Sequence, residues 1–226
     1  MKVESRYIKL GIIALFIGIF SYLILDYDIF NKANLLNILA SMGSSSSFEM
    51  YFVIAATILL VFFVPISWLS LATTIFFGLK GAWLITMAGL LSGTISFGIA
   101  RVFKEDVSRL VEKIYYRKER KLSLEEIYTK IKSYGFGYVV FIRSMPFIPF
   151  SILNYIFGIS IISFKSFFIA TLLSVSLGQS INVYFFYKAL RIGQGPLDTI
   201  IAAAIKGLYF LVIILWQRKS KYSAKE

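Results

Sequence analysis

Apolar residues fall into blocks separated by prolines, glycine pairs and charged runs. The first block, Leu10–Leu25, follows Lys2, Arg6 and Lys9 and leads into Asp26-Tyr27-Asp28 with no small-x-small cleavage site. It predicts an uncleaved first membrane helix. Residues 26–48 mix apolar pairs with a serine run, predicting an interfacial segment and a loop. The 50–103 stretch is almost wholly apolar but is interrupted at Pro65 and at Gly78-Leu79-Lys80-Gly81. Its first two pieces fall short of the ~20 residues a span needs, whereas 82–103 suffices. Residues 134–162 are apolar again and broken at Pro146 and Pro149, and 164–187 and 197–216 read as further full spans. Between them, 104–133 is hydrophilic. There Val107, Leu110, Val111 and Ile114, then Leu124, Ile127, Tyr128 and Ile131, repeat at helical spacing, predicting two amphipathic helices. Ser123 and Glu126 predict a capping box for the second.

Charge selects among topologies. Residues 104–133 carry nine Lys/Arg, the N-terminus three and the tail four, and the positive-inside rule puts all three in the cytoplasm. A single long span over 50–79 would push the nine-cation loop outside. A re-entrant hairpin there, with a second at 134–162 entering from the opposite side, restores the parity. The hairpins also look alike: Pro65 precedes Phe77-Gly78 much as Pro146 precedes Phe157-Gly158. The predicted fold is therefore an all-α polytopic membrane protein. It has about four full transmembrane helices, two opposed re-entrant helical hairpins in inverted repeat, and a cytoplasmic amphipathic helical loop.

Composition narrows the chemistry. Of 226 residues, 58% are hydrophobic and 17% aromatic, with neither Cys nor His. Such a chain has too little polar surface for a soluble enzyme, and it lacks the groups for zinc sites, thiol nucleophiles and Ser-His-Asp relays. Gly89-Leu90-Leu91-Ser92-Gly93 has no base for an intramembrane serine protease. No enzyme, cofactor or metal is expected. The net charge of +12 points to anionic lipid headgroups rather than nucleic acid.

The stretch Phe141-Ile142-Arg143-Ser144-Met145-Pro146-Phe147-Ile148-Pro149-Phe150 carries the candidate chemistry. A half-helix starting near Pro149 would aim free backbone N–H groups, the positive end of its dipole, into the membrane interior. Arg143 stands just before it, able to fork onto a phosphate. The alternative is a guanidinium that snorkels to the inner interface and anchors the hairpin. Asn154 and Tyr155 read equally as polar glue to the opposite hairpin or as substrate contacts. Arg101, at the end of the third apolar segment, is a snorkelling anchor or a ligand. No carboxylate falls within a full span, Glu49 and Asp198 lying at predicted interfaces, so proton coupling through a midplane acid has no candidate.

At these positions the chain resembles the SNARE-associated Golgi protein family (VTT domain) of the DedA superfamily. Arg143-x-x-Pro146-x-x-Pro149 followed by Asn154-Tyr155-x-x-Gly158 is similar to its signature, and Pro65, Phe77-Gly78, Gly81 and Phe97-x-x-Ala100-Arg101 to its first half. Thr74, Ser174 and Leu177 depart from the family pattern, where Gly, Gly and Pro are usual. The resemblance implies two re-entrant hairpins and lipid movement: phospholipid scrambling in eukaryotic relatives, polyprenyl-phosphate recycling in bacterial ones. It nominates Arg143, Pro146, Pro149, Asn154, Tyr155, Gly158 and, second, Arg101 as the substrate site, with Pro65, Phe77, Gly78 and Gly81 shaping the first hairpin.

The expected organisation is an N-terminal helix and outer loop over 1–49, a VTT/DedA-like membrane domain over 50–190, and a C-terminal helix with basic tail over 191–226. The expected function is a lipid transporter or scramblase of the bacterial plasma membrane with both termini cytoplasmic. The alternative is a non-transporting scaffold that binds partners or acidic lipid through the 104–133 loop. Self-association into a homo-oligomer is compatible with either.

Overall fold

The computed structural model describes residues 46–117, 122–145, 148–220 and 222, and among these the chain is helical with no strand. The expected first membrane helix, most of the 26–49 loop, the 118–121 basic run and Pro146 lie outside the described residues. A compact unit runs from Glu49 to Glu226; of the preceding unit, Met1–Phe48, the described part is the first turn of α1.

The helices are α1 Ser46–Val61, α2 Ile66–Phe77, α3 Gly81–Val102, α4 Lys104–Tyr115, α5 Leu124–Ser144, α6 Phe150–Ile159, α7 Phe164–Ala189 and α8 Pro196–Lys219, with a 3-10 turn at Gly78–Lys80. Among the described residues, three stretches are long and apolar enough to cross a membrane: Ile66–Val102, Phe164–Ala189 and Pro196–Lys219. The first contains a break at Gly78 (φ 58°), so its membrane-long helix is α3.

α1 and α2 fold back on one another. Phe52 lies 5.9 and 5.3 Å from the rings of Phe76 and Phe77, and Glu49 pairs with Lys80 at 2.5 Å across the base. At the tip, Phe63 N–H donates to Leu60 O (3.2 Å) and Val64 N–H to Leu59 O (3.0 Å). These two bonds form a Schellman motif, which normally places glycine in the left-handed position. Here Phe63 holds it at φ 68°. Pro65 (φ −62°) then starts α2. At the other end of α2, a Cβ on Gly81 would sit 2.7 Å from Thr73 O, so α2 and α3 approach backbone to backbone.

α3 is the central helix, touching α2, α6 and α7. Its buried face carries Ala88, Gly89, Ser92, Gly93, Ser96 and Ala100, small residues that let neighbouring backbones come close where no hydrophobic force drives association.

The amphipathic helices turn their apolar faces into the protein. Val107, Val111, Tyr115, Leu124, Ile127 and Ile131 are buried in one cluster with the second hairpin, and α4 packs on α6. The capping box forms by half: Ser123 Oγ accepts from Glu126 N–H at 3.1 Å, while the Glu126 carboxylate pairs with Lys130 at 2.8 Å. Gly135 (φ 53°) breaks α5, separating the amphipathic turns from the hairpin limb that follows. Tyr222 of the tail lies back along α5, its carbonyl accepting from Lys130 Nζ at 2.8 Å.

The limb leads into α6, which Pro149 caps (φ −57°, ψ 138°); α5 packs on α7, and the Arg143–Asn154 hydrogen bond joins the limb to α6 in the second hairpin. Pro149 is a structural counterpart of Pro65, since both cap a short helix from an extended conformation without a side-chain hydrogen bond. The two Phe-Gly pairs also do different jobs. Gly78 supplies a positive φ at a helix end, whereas Gly158 is a packing glycine whose Cβ would lie 2.6 Å from both Phe97 O and Ala100 Cβ.

Candidate functional site

The hairpin tips meet. Ser151 Oγ donates to Leu60 O at 2.6 Å and Tyr155 OH to Val61 O at 3.1 Å, while the Tyr155 ring stacks on Phe63 at 5.3 Å. The last carbonyls of a helix lack intrahelical donors, and hydroxyls from the opposite hairpin supply them. Tyr155 therefore serves as polar glue between the hairpins.

Beside this junction lies a cavity of about 490 Å³. The first tip contributes Pro65 and Ser67, the second Arg143, Ser144, Pro149 and Ser151. α7 adds Ser174, Gln179 and Asn182, and α8 adds Lys206 and Tyr209. Each hairpin presents the same Pro-x-Ser turn, Pro65-Ile66-Ser67 and Pro149-Phe150-Ser151. Both are helix N-termini, whose first N–H groups have no intrahelical partner and carry the positive end of the dipole. The carbonyl end of α1, by contrast, is occupied by its own turn and by Ser151 and Tyr155.

Arg143 is the principal charge of the site. Its Nη2 donates to Asn154 Oδ1 at 2.7 Å, and its Cζ lies 5.3, 4.9 and 5.1 Å from the ring centroids of Phe150, Phe157 and Phe167. The buried Nε and Nη1 have no hydrogen-bond partner, and among the described residues no carboxylate lines the cavity. A guanidinium held on one edge by a neutral amide and caged by aromatic faces is left with two buried nitrogens unsatisfied, a cost that pairing with an anion would relieve. Asn154 is fully buried beside Gly93, where a Cβ would lie 3.5 Å from its Oδ1, and it holds Arg143 without lining the cavity.

The other nominated residues lie elsewhere. Arg101 donates to Ile162 O at 2.7 Å and stacks on Phe97, closing the base of the second hairpin away from the cavity. Gly158 is spent on helix packing, and Phe77, Gly78 and Gly81 shape the base of the first hairpin. Three contributors escape a reading by motif: Ser151, Gln179, which accepts from Ser70 Oγ, and Lys206. Lys206 had a visible signal, a lone cation in the middle of an apolar 197–216 run.

No curated protein and no solved structure matches the chain. The family model of the VTT domain matches residues 64–188. That span takes in both Pro-x-Ser turns and Arg143 and leaves α8 outside. Covering more than half of the chain, the match places this protein in the VTT domain family.

Proposed function

We propose that the protein moves a phosphate-bearing lipid, a phospholipid or a polyprenyl phosphate, across a membrane as a transporter or scramblase. The observation that carries this reading is Arg143: a buried guanidinium with Nε and Nη1 unpartnered, lining a cavity flanked by two helix N-termini. A phosphate would satisfy the guanidinium fork and both dipole ends at once, the arrangement by which broken helices hold anionic groups at a membrane midplane. Arg143 and the Pro149 turn take the headgroup, and Asn154 positions Arg143. The process involves no covalent chemistry and so no enzymatic step.

In this reading both hairpins are re-entrant and opposed, an inverted repeat. Their helices α1, α2 and α6, of 16, 12 and 10 residues, reach about 24, 18 and 15 Å against a ~30 Å hydrocarbon core. With the first membrane helix expected from the sequence, the reading has about four full spans. With the basic 104–133 loop on the inner side of a bacterial plasma membrane, both termini are cytoplasmic. A scaffold working through that loop draws less support, because the apolar faces of α4 and α5 are already buried within the chain.

The test is reconstitution into liposomes with a labelled phosphate-bearing lipid. Arg143→Ala should reduce movement by at least about 100-fold while the protein still inserts and elutes as a single species. Arg143→Lys should recover part of it, since a point charge lacks the planar fork. Wild-type rates from Arg143→Ala would refute the mechanism.

A further inference from the structure

α8 stands outside the matched family domain, yet it brings a second cation to the cavity. Ala202, Lys206, Tyr209, Phe210 and Ile213 recur at helical spacing; Ala202 and Ile213 are buried, and the three between them line the cavity. Lys206 lies 10 residues from Pro196 and 13 from Lys219, about 15 and 20 Å from the helix ends. That exceeds what snorkelling can recover. A lone ammonium at such depth is costly and marks function by default. Its Nζ lies 4.3 and 5.0 Å from the rings of Phe185 and Phe186, which tolerate the charge without neutralising it. The ion pairs among the described residues, Glu49–Lys80, Glu126–Lys130 and Asp198–Lys188, leave Lys206 without a carboxylate.

Resting on the reading that the cavity receives a phosphate headgroup, we propose that Lys206 selects net-anionic headgroups against zwitterionic ones. A phosphatidic acid or phosphatidylglycerol headgroup brings only negative charge to a cavity that holds Arg143, Lys206 and, among the described residues, no acid. A phosphatidylethanolamine or phosphatidylcholine headgroup brings its own cation, and no carboxylate among the described lining residues can receive it. Repulsion of the wrong ligand is how a like charge creates specificity.

The experiment compares labelled phosphatidylglycerol and phosphatidylcholine in liposomes with wild type, Lys206→Gln and Lys206→Arg. Wild type should favour the anionic probe by about tenfold or more. Lys206→Gln should bring the ratio to about one, slowing the anionic probe and speeding the zwitterionic one, while Lys206→Arg keeps the wild-type preference. A gain of zwitterionic movement is a readout that mere destabilisation cannot produce. Equal slowing of both probes, or an unaltered ratio, overturns the proposal and leaves the transport reading intact. If wild type moves neither of these lipids nor a labelled polyprenyl phosphate, the transport reading falls. Selection by Lys206 is then decided by thermal protection of the detergent-purified protein by short-chain phosphatidic acid. Protection that Lys206→Gln weakens upholds it, and protection indifferent to Lys206 overturns it. Inorganic phosphate protecting equally well would overturn the assignment to a lipid.

Discussion

The two hairpins begin their inner helices with the same Pro-x-Ser turn and spend their polar groups differently. In the first, the side chains of Ser70, Thr73 and Thr74 and the last carbonyls of α1 are already paired, and the N-terminus of α2 is what remains for a ligand. The Schellman bonds and two hydroxyls take the carbonyls of α1. Ser70 donates to Ile66 O and Gln179, and Thr73 and Thr74 bond back to their own helix. The second hairpin keeps Arg143 Nε and Nη1 unspent. A satisfied element is a wall, and an unsatisfied one is a binding surface, because only the latter lowers its energy by receiving a ligand.

The sharpest way to break this contrast is to remove one polar group from each hairpin. Arg143→Ala should abolish lipid movement, whereas Ser70→Ala should cost about 1 kcal/mol of stability and leave the rate within about twofold. Thermal denaturation in detergent and the liposome assay read the two quantities separately. Loss of movement from Ser70→Ala at unaltered folding would extend the binding surface of the first hairpin beyond the N-terminus of α2.

Second in size is the contrast between the two Phe-Gly pairs. Gly158→Val forces a side chain where a Cβ already lies 2.6 Å from Phe97 O and Ala100 Cβ. Separating α6 from α3 should cost about 3 kcal/mol. Gly78→Ala meets only the movable Tyr187 ring at 3.3 Å but must hold φ 58°, ψ −135°, at about 2 kcal/mol. Melting temperatures should fall in that order. The reverse order would mean that backbone strain, not helix packing, makes glycine necessary here.

Much of the architecture was legible in the sequence because its signals are local. Pro65, Gly78, Gly81 and Pro149 punctuate apolar runs where helices end or begin, and the spacing of Val107, Val111, Leu124, Ile127 and Ile131 marks the buried faces of α4 and α5. Arg143 stood out as an arginine in an apolar segment. What stayed hidden depends on juxtaposition across the chain. Ser151 meets Leu60 at a separation of 91 residues and Ser70 meets Gln179 at 109, and no periodicity encodes such pairs. Phe77-Gly78 and Phe157-Gly158 look alike as letters, and only packing separates a turn glycine from a contact glycine. Lys206 belongs to no motif, yet a lysine at mid-helix carries the same energetic signal as a carboxylate would.

The smallest effect probes how the tips are joined. Ser151→Ala and Tyr155→Phe each delete one hydroxyl bond to adjacent carbonyls, Leu60 O and Val61 O, and each should cost about 1 kcal/mol. Tyr155→Phe keeps the stack on Phe63, which matters because Phe63 occupies a left-handed position that a bulky residue holds only when its surroundings fix it. With one hydroxyl left, the opposite hairpin still pins the turn; with neither, Phe63 can relax to φ < 0 and the Schellman bonds loosen. The double variant should therefore exceed the sum of the singles by about 0.5–1 kcal/mol, the coupling expected of groups sharing one partner element. Strict additivity in a double-mutant cycle would mean that the first hairpin holds its own tip. The second hairpin would then lean on a preformed surface rather than help to build it.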